Sequence, residues 1–221
     1  MRPDDCLARR TFCRAPVVAV VLLAGLCSNL EPAHGDPASG AGGTTISQPI
    51  KAFDLRGEWL RVGESFACRV GSVKELSQEQ LKSDILARAC LHLGPFTIGD
   101  GAQVLIKALG PPHRTLAQPK GAKASIYFLE QADHYPYLVA TVSKNRIIAL
   151  QVTGPAAAKD YSFNHIDLGA TTDTLVQYFG QPNHLEPSEE KDTELWAYRP
   201  WPFSFEVRNG HISSIRINET N

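Results

Sequence analysis

Two stretches of this chain share one hydrophobic rhythm. After Phe96-Thr97-Ile98-Gly99-Asp100, the apolar residues Val104, Leu105, Ala108 and Leu109 recur at helical spacing and stop at Gly110-Pro111-Pro112. Seventy residues on, Ile166-Asp167-Leu168-Gly169-Ala170 leads into Leu175, Val176, Tyr178 and Phe179, which stop at Gly180-Gln181-Pro182. A fixed internal period points to a duplicated supersecondary unit. Each run reads as a helix with Gly as its left-handed C-terminal cap and Pro just beyond. In the first copy Asp100 stands as the N-cap with Gln103 at N3.

Strand-like alternation follows both helices. In the first copy it covers Ala124–Leu129, Tyr137–Val142 and Arg146–Val152; in the second, Glu194–Arg199, Pro202–Val207 and His211–Ile217. Asn209-Gly210 is a strong hairpin signal, and Ser143-Lys144-Asn145 fits a tight turn. Parity then sorts the side chains. Ile126, Phe128, Leu138, Ala140, Val142, Ile148, Leu150 and Val152 fall on one face. Their counterparts are Trp196, Tyr198, Phe203, Phe205, Val207, Ser213, Ile215 and Ile217. That face is bulky and predicts a core under helices. The other face of the second copy is polar (Ser204, Glu206, Ser214, Arg216). In the first copy it holds Tyr127, Tyr137, Val139 and Ile147, more apolar than a free face requires. Either the segment around Trp59 covers it, or it is a partner surface. Trp201, in the turn between two strands, is a further exposed anchor. Upstream, Ser77–Leu93 predicts a helix with Leu81, Ile85, Leu86 and Ala89 on one stripe, stopped by Gly94-Pro95.

The N-terminus reads as a targeting segment. Arg9, Arg10 and Arg14 precede the apolar run Val17–Leu26, shorter than the roughly 20 residues that span a bilayer, and Ala33-His34-Gly35 offers small residues for cleavage. A signal peptide over 1–35, cleaved near Gly35, predicts a periplasmic or secreted protein. A retained anchor is the alternative. Arg9-Arg10 leaves Sec and twin-arginine export both open. Leu26, where a lipoprotein signal needs a small residue, argues against a lipid anchor at Cys27. Residues 36–53, rich in Gly, Ala, Ser and Thr, predict a flexible leader. After cleavage Cys68 and Cys90 remain, and an even count in an oxidising compartment favours a disulfide over a reactive thiol. It would close a loop of about 20 residues and contribute about 3 kcal/mol.

The Ile-x-x-Gly lead-in, the Leu/Phe-Gly-x-Pro stop, Trp196-Ala197-Tyr198 and the Asn209-Gly210 hairpin together resemble the SmpA/OmlA (BamE-like) lipoproteins. The tandem form resembles the β-lactamase inhibitor proteins. The likeness covers residues 94–218. It implies an α+β fold of two tandem helix-helix-three-stranded antiparallel sheet modules, over 54–155 (with an N-terminal docking segment) and 156–221. It also implies protein binding, without carrying over a site.

Composition narrows the function further. The formal net charge is −1 and no basic run follows the N-terminus, so no nucleic-acid surface is expected. No nucleophile elbow, phosphate loop or dinucleotide fingerprint occurs. His113 and His184 follow equivalent turns, but the spacing offers no metal set. The expectation is a non-enzymatic module without metal or cofactor that binds another protein, as envelope scaffold or enzyme inhibitor. Tyr127, Tyr137, Val139, Ile147 and Trp201 are its candidate surface. The alternatives are a small exported enzyme built on His113, His184 and Asp100, and an outer-membrane assembly lipoprotein.

Overall fold

A computed structural model describes residues 56–71, 78, 85–130 and 134–219. The signal peptide, the cleavage site, Cys27 and the leader all lie outside the described residues.

The N-terminal hairpin is β1 (Gly57–Val62) and β2 (Ser65–Val70), paired antiparallel. Helix α1 (Ile85–Arg88) is followed by the two-residue strands β3 (His92–Leu93) and β4 (Phe96–Thr97), which pair across Gly94-Pro95. The remainder is one helix and four strands, twice over. Helix α2 (Gln103–Leu109) precedes β5 (Arg114–Ala117), β6 (Lys123–Phe128), β7 (Tyr137–Ser143) and β8 (Arg146–Thr153). Helix α3 (Thr172–Phe179) precedes β9 (His184–Pro187), β10 (Thr193–Ala197), β11 (Phe203–Arg208) and β12 (His211–Asn218). All eight of these strands form a single antiparallel sheet in the order β5-β6-β7-β8-β12-β11-β10-β9.

This overturns the α+β reading of two tandem helix-helix-three-stranded modules. The protein is mostly β, 46% strand against 14% helix. Two physical causes stand out. The last strands of the two meanders, β8 and β12, pair with each other, Val152 opposite Ile215 and Leu150 opposite Ile217; this satisfies the backbone of what would otherwise be two long apolar edges. Each meander also gains an outer strand, β5 or β9, whose four residues are too few to show a period. The helix predicted over Ser77–Leu93 stops at Arg88. Leu91 and Leu93 are instead buried beyond it, because Gly94, at φ +59°, turns the chain back.

Helix ends follow local chemistry. Gly110 and Gly180 sit at φ 77° and 75° as C-caps. Thr171 caps α3 by accepting from Thr174 N at 3.3 Å. Asp100 does not cap α2. Its Oδ2 accepts from Thr97 N at 3.1 Å and closes the preceding turn. Asn209 and Gly210, at φ 51° and 74°, make the tight hairpin, as do Lys144 and Asn145 at 47° and 63°.

The helices and the hairpin cover one face of the sheet. Under α2 and the 91–98 segment, the core is Leu105, Leu138, Ala140, Leu150 and Val152. Under α3 it is aromatic: Phe163, Phe179, Tyr198, Phe203 and Phe205. The hairpin docks on this aromatic half. Phe66 lies 5.7, 5.9 and 5.4 Å (ring centroids) from Phe179, Tyr198 and Phe203. Trp59 lies 5.6 Å from Phe203. Asn164 holds both backbone groups of Trp59, at 2.6 and 2.9 Å. Cys68 and Cys90 are bonded, S–S 2.05 Å, at the hairpin's root. Trp59 therefore covers the core side of the C-terminal half, not the apolar second face of the first copy.

Candidate functional site

Among the described residues no element packs on the opposite face of the sheet. Strand register lays its side chains out in rows. One row reads Arg114, Ile126, Val139, Gln151, Arg216, Ser204, Ala197 and His184 across all eight strands. The next reads Phe128, Tyr137, Thr153, Ser214, Glu206, Leu195 and Glu186. The β5–β8 half thus presents Ile126, Phe128, Tyr137 and Val139 side by side. The β9–β12 half presents mainly hydroxyls, carboxylates and guanidinium groups.

Where the halves meet, the polar groups satisfy one another. Gln151 Nε2 donates to Ser214 Oγ at 2.9 Å, and Thr153 Oγ1 and Ser214 Oγ lie 3.1 Å apart. Burial holds the Tyr137 phenol above its ordinary pKa, its hydrogen bond with Thr153 acting the other way. Further along, Ser188 Oγ donates to Glu206 Oε1 at 2.8 Å. Arg208 reaches Thr193 Oγ1 at 3.1 Å and Glu190 Oε2 at 3.2 Å. His184 and Arg199 both approach Glu186, at 3.1 and 3.9 Å. All but His184 line a depression of about 940 Å³ that lies over the C-terminal half and reaches Tyr137. A second depression, of about 780 Å³, lies over the N-terminal half and includes Arg114, Ile126, Phe128, Tyr137, Val139 and Arg216.

The predicted surface residues do not stay together. Tyr137 and Val139 lie half-buried on the open face. Tyr127, 3% exposed, and Ile147, 0% exposed, are in the core and are withdrawn as surface residues. For Tyr127 the cause is a slip of one residue between the copies. Ser125 pairs with Ala140 and Tyr127 with Leu138, whereas Trp196 pairs with Phe205. Tyr127 therefore takes the inward place that parity gave Phe128, and every β6 side chain changes face. For Ile147 the cause is a bulge between Thr141 and Val142. The Ile147 backbone bonds Gly99 N and Asp100 O, at 2.8 and 2.9 Å, and its side chain turns inward. Ile212 does the same against Gly169 and Ala170, so Ile147 and Ile212 take the inward places read for Ile148 and Ser213. Trp201 is half-buried, edge-on to Phe66 with centroids 4.8 Å apart.

Ile126 and Phe128 are the residues that sequence parity missed on the open face. Matching Tyr127 to Tyr198 would have found them. The histidines of the enzyme alternative separate. His113 leads into β5 and His184 opens β9, at opposite edges with six strands between them. Asp100 sits in the turn before α2. Among the described residues no three His, Cys, Asp or Glu side chains group to hold a metal, and no helix is long and apolar enough to cross a membrane.

No family model and no curated protein sequence matches the chain. Among solved structures it is similar to a cysteine-rich secretory protein from Staphylococcus aureus, at 14% identity and TM-score 0.39, over 55% of this chain and 44% of that one. It is similar to an extracellular SCP-domain protein from Bacillus anthracis, at 11% and 0.40, over 67% and 50%. A candidate β-lactamase inhibitor protein from Streptococcus mutans matches at 15% and 0.23, over 56% and 85%. The chain spans half or less of the first two proteins. Overlaps this loose assign no function, and none supports the BamE-like resemblance.

Proposed function

We propose that this chain is an exported, non-catalytic module that docks onto another protein through the open face of its sheet. One observation carries the reading: an eight-stranded sheet is covered on one side and, among the described residues, has no helix or strand on the other, where only Tyr135 of the β6–β7 connection stacks on Tyr137. On that side Ile126, Phe128, Tyr137 and Val139 stand together on neighbouring strands. Apolar groups so placed cost free energy in water and gain it when a partner covers them. Export is supported by the signal-like N-terminus and by the Cys68–Cys90 bond, a linkage that persists in oxidising compartments.

The test is capture of crosslinked partners from a cell-envelope fraction by the wild-type protein and by Val139→Asp. A charge at the centre of the patch should abolish capture while leaving the far-ultraviolet circular dichroism unchanged. Equal capture by both proteins, or none by either, would falsify the proposal.

A further inference from the structure

We infer that the N-terminal half of the open face receives an extended segment of a partner protein with apolar residues between two carboxylates. The inference rests on the docking role proposed above and adds the partner's chemistry.

Three observations lead there. First, the row Arg114, Ile126, Val139, Gln151, Arg216 is cationic at both ends and uncharged between them. Both arginines are exposed. Arg216 Nε donates to Asn218 Oδ1 at 3.0 Å, and among the described residues its terminal nitrogens and all of Arg114 lack a protein acceptor. Second, no carboxylate is among the described residues lining this depression. Third, the carboxylates of the same face, Glu186, Glu189, Glu190 and Glu206, lie over the other half, where Arg199, Arg208 and Ser188 engage all but Glu189. An acidic segment is attracted to one half and repelled from the other, so charge sets its position as well as its affinity.

The geometry also sets a length. Arg114 and Arg216 are four strand spacings apart, about 19 Å at roughly 4.8 Å per strand. A segment crossing the strands in extended form covers that in about six residues, at roughly 3.3 Å each. The apolar residues between its carboxylates would lie on Ile126 and Val139, with Phe128 and Tyr137 beside them. Two guanidinium groups favour carboxylates because the planar fork matches both oxygens.

The experiment pans a displayed library of random peptides against the full mature chain. One enriched peptide is then titrated against wild type, Arg114→Glu/Arg216→Glu, the milder Arg114→Gln/Arg216→Gln pair, and Val139→Asp. The enriched sequences should share two acidic positions about six residues apart around an apolar centre. The double charge reversal should weaken binding about 100-fold and the glutamine pair about tenfold, and raised salt should weaken it further. Both arginines are exposed, so unchanged thermal unfolding is the expected control. Peptides that lack acidic positions yet lose binding to Val139→Asp overturn the acidic chemistry and leave the docking face standing. Peptides that bind all variants equally, or no enrichment, overturn the inference; the former also counts against the docking face.

Discussion

The two halves of the sheet are built from the same parts in the same order, yet they invert each other's chemistry. The β9–β12 half is aromatic on its covered side and polar on its open side. The β5–β8 half is aliphatic on its covered side apart from Tyr127, and carries aromatic and aliphatic groups on its open side. The hairpin tracks this difference. It settles Trp59 and Phe66 on the rings of Phe179, Tyr198 and Phe203, and a disulfide holds it there. One half is the body on which the hairpin is anchored, and the other carries the half-buried apolar patch of the open face. The lesson is that register, as well as residue type, sets which groups face outward: a difference of one residue in the pairing of β6 turns Ile126 and Phe128 to the open face.

The largest test of this contrast substitutes matched core positions. Phe203, 1% exposed, and Leu138, 0% exposed, hold corresponding places on β11 and β7. Phe203→Ala should cost about 4 kcal/mol and Leu138→Ala about 3. The excess at Phe203 comes from ring pairs with Trp59, Phe66, Phe163 and Phe179, all within 5.6 Å. Urea unfolding with unchanged slope measures both. An equal or larger loss at Leu138 would remove the claim that the hairpin anchors the C-terminal half. Next in size, Cys68→Ser with Cys90→Ser should lower stability by about 3 kcal/mol. Hydrogen exchange should then quicken in β1, β2 and α3 well before β6, β7 and β8. Uniform acceleration across the sheet would mean the bond braces both halves alike.

Several of these features were legible in the amino-acid sequence. Gly110 and Gly180 each stop a helix because only glycine tolerates φ near +75° without strain. Asn209-Gly210 turns a hairpin for the same reason. Cys68 and Cys90 are the two cysteines that follow the signal-like N-terminus, and they pair. On β7 and β11, alternation correctly placed Leu138, Ala140, Phe203, Phe205 and Val207 inward. What stayed hidden depends on pairing rather than on local pattern. Bulges at Thr141/Val142 and Glu206/Val207 carried Ile147 and Ile212 into the core. The joining of β8 to β12 is a contact between residues more than 60 apart in the chain. No periodicity within a strand encodes its neighbour, so two three-stranded sheets were expected where one eight-stranded sheet formed. The candidate surface fared accordingly. Tyr137 and Val139 sit on strands whose phase was right, while Tyr127 and Ile147 sit where a slip or a bulge reversed it.

A smaller effect separates two of the core tyrosines, Tyr198 and Tyr127. Tyr198 Oη donates to Gly180 O at 2.9 Å, tying the end of β10 to the cap of α3. Burial raises the pKa of Tyr198 strongly, while Tyr127 is raised by burial with Ser125 as a partner. Tyr198→Phe leaves a buried carbonyl without its donor and should cost about 1–2 kcal/mol. Tyr127→Phe should cost less than about 1 kcal/mol, because its partner hydroxyl can rotate to another acceptor. Equal losses in thermal unfolding would show that the C-terminal half has no special lock at Gly180.

The mildest test uses pH, and it addresses the root of the hairpin alone. His92 lies in β3 and its Nε2 is 3.0 Å from Gly57 O, so the neutral ring donates there and leaves Nδ1 as the unprotonated nitrogen. Nδ1 is buried and has no hydrogen-bond partner. A second proton would place an N–H and a charge where nothing receives them. Burial accordingly lowers the His92 pKa below its ordinary 6.5; Arg56 acts in the same direction, Gly57 and Glu58 in the opposite one. Because the folded chain binds this proton less readily than the unfolded chain, the contribution to stability is fully present above about pH 6.5 and declines as pH falls below it. Asp100 has the opposite sign, its pKa raised first by burial, and it lies outside the hairpin, so a scan from pH 7.5 to 5.5 is read by the local response of β1 and β2. Across that scan amide exchange, corrected for its intrinsic rate, should accelerate in β1 and β2 relative to β7 and β8. His92→Asn should flatten the response. A flat response in the wild-type protein would show that His92 does not hold the hairpin, and the anchoring of the C-terminal half would then fall to the disulfide and the aromatic rings.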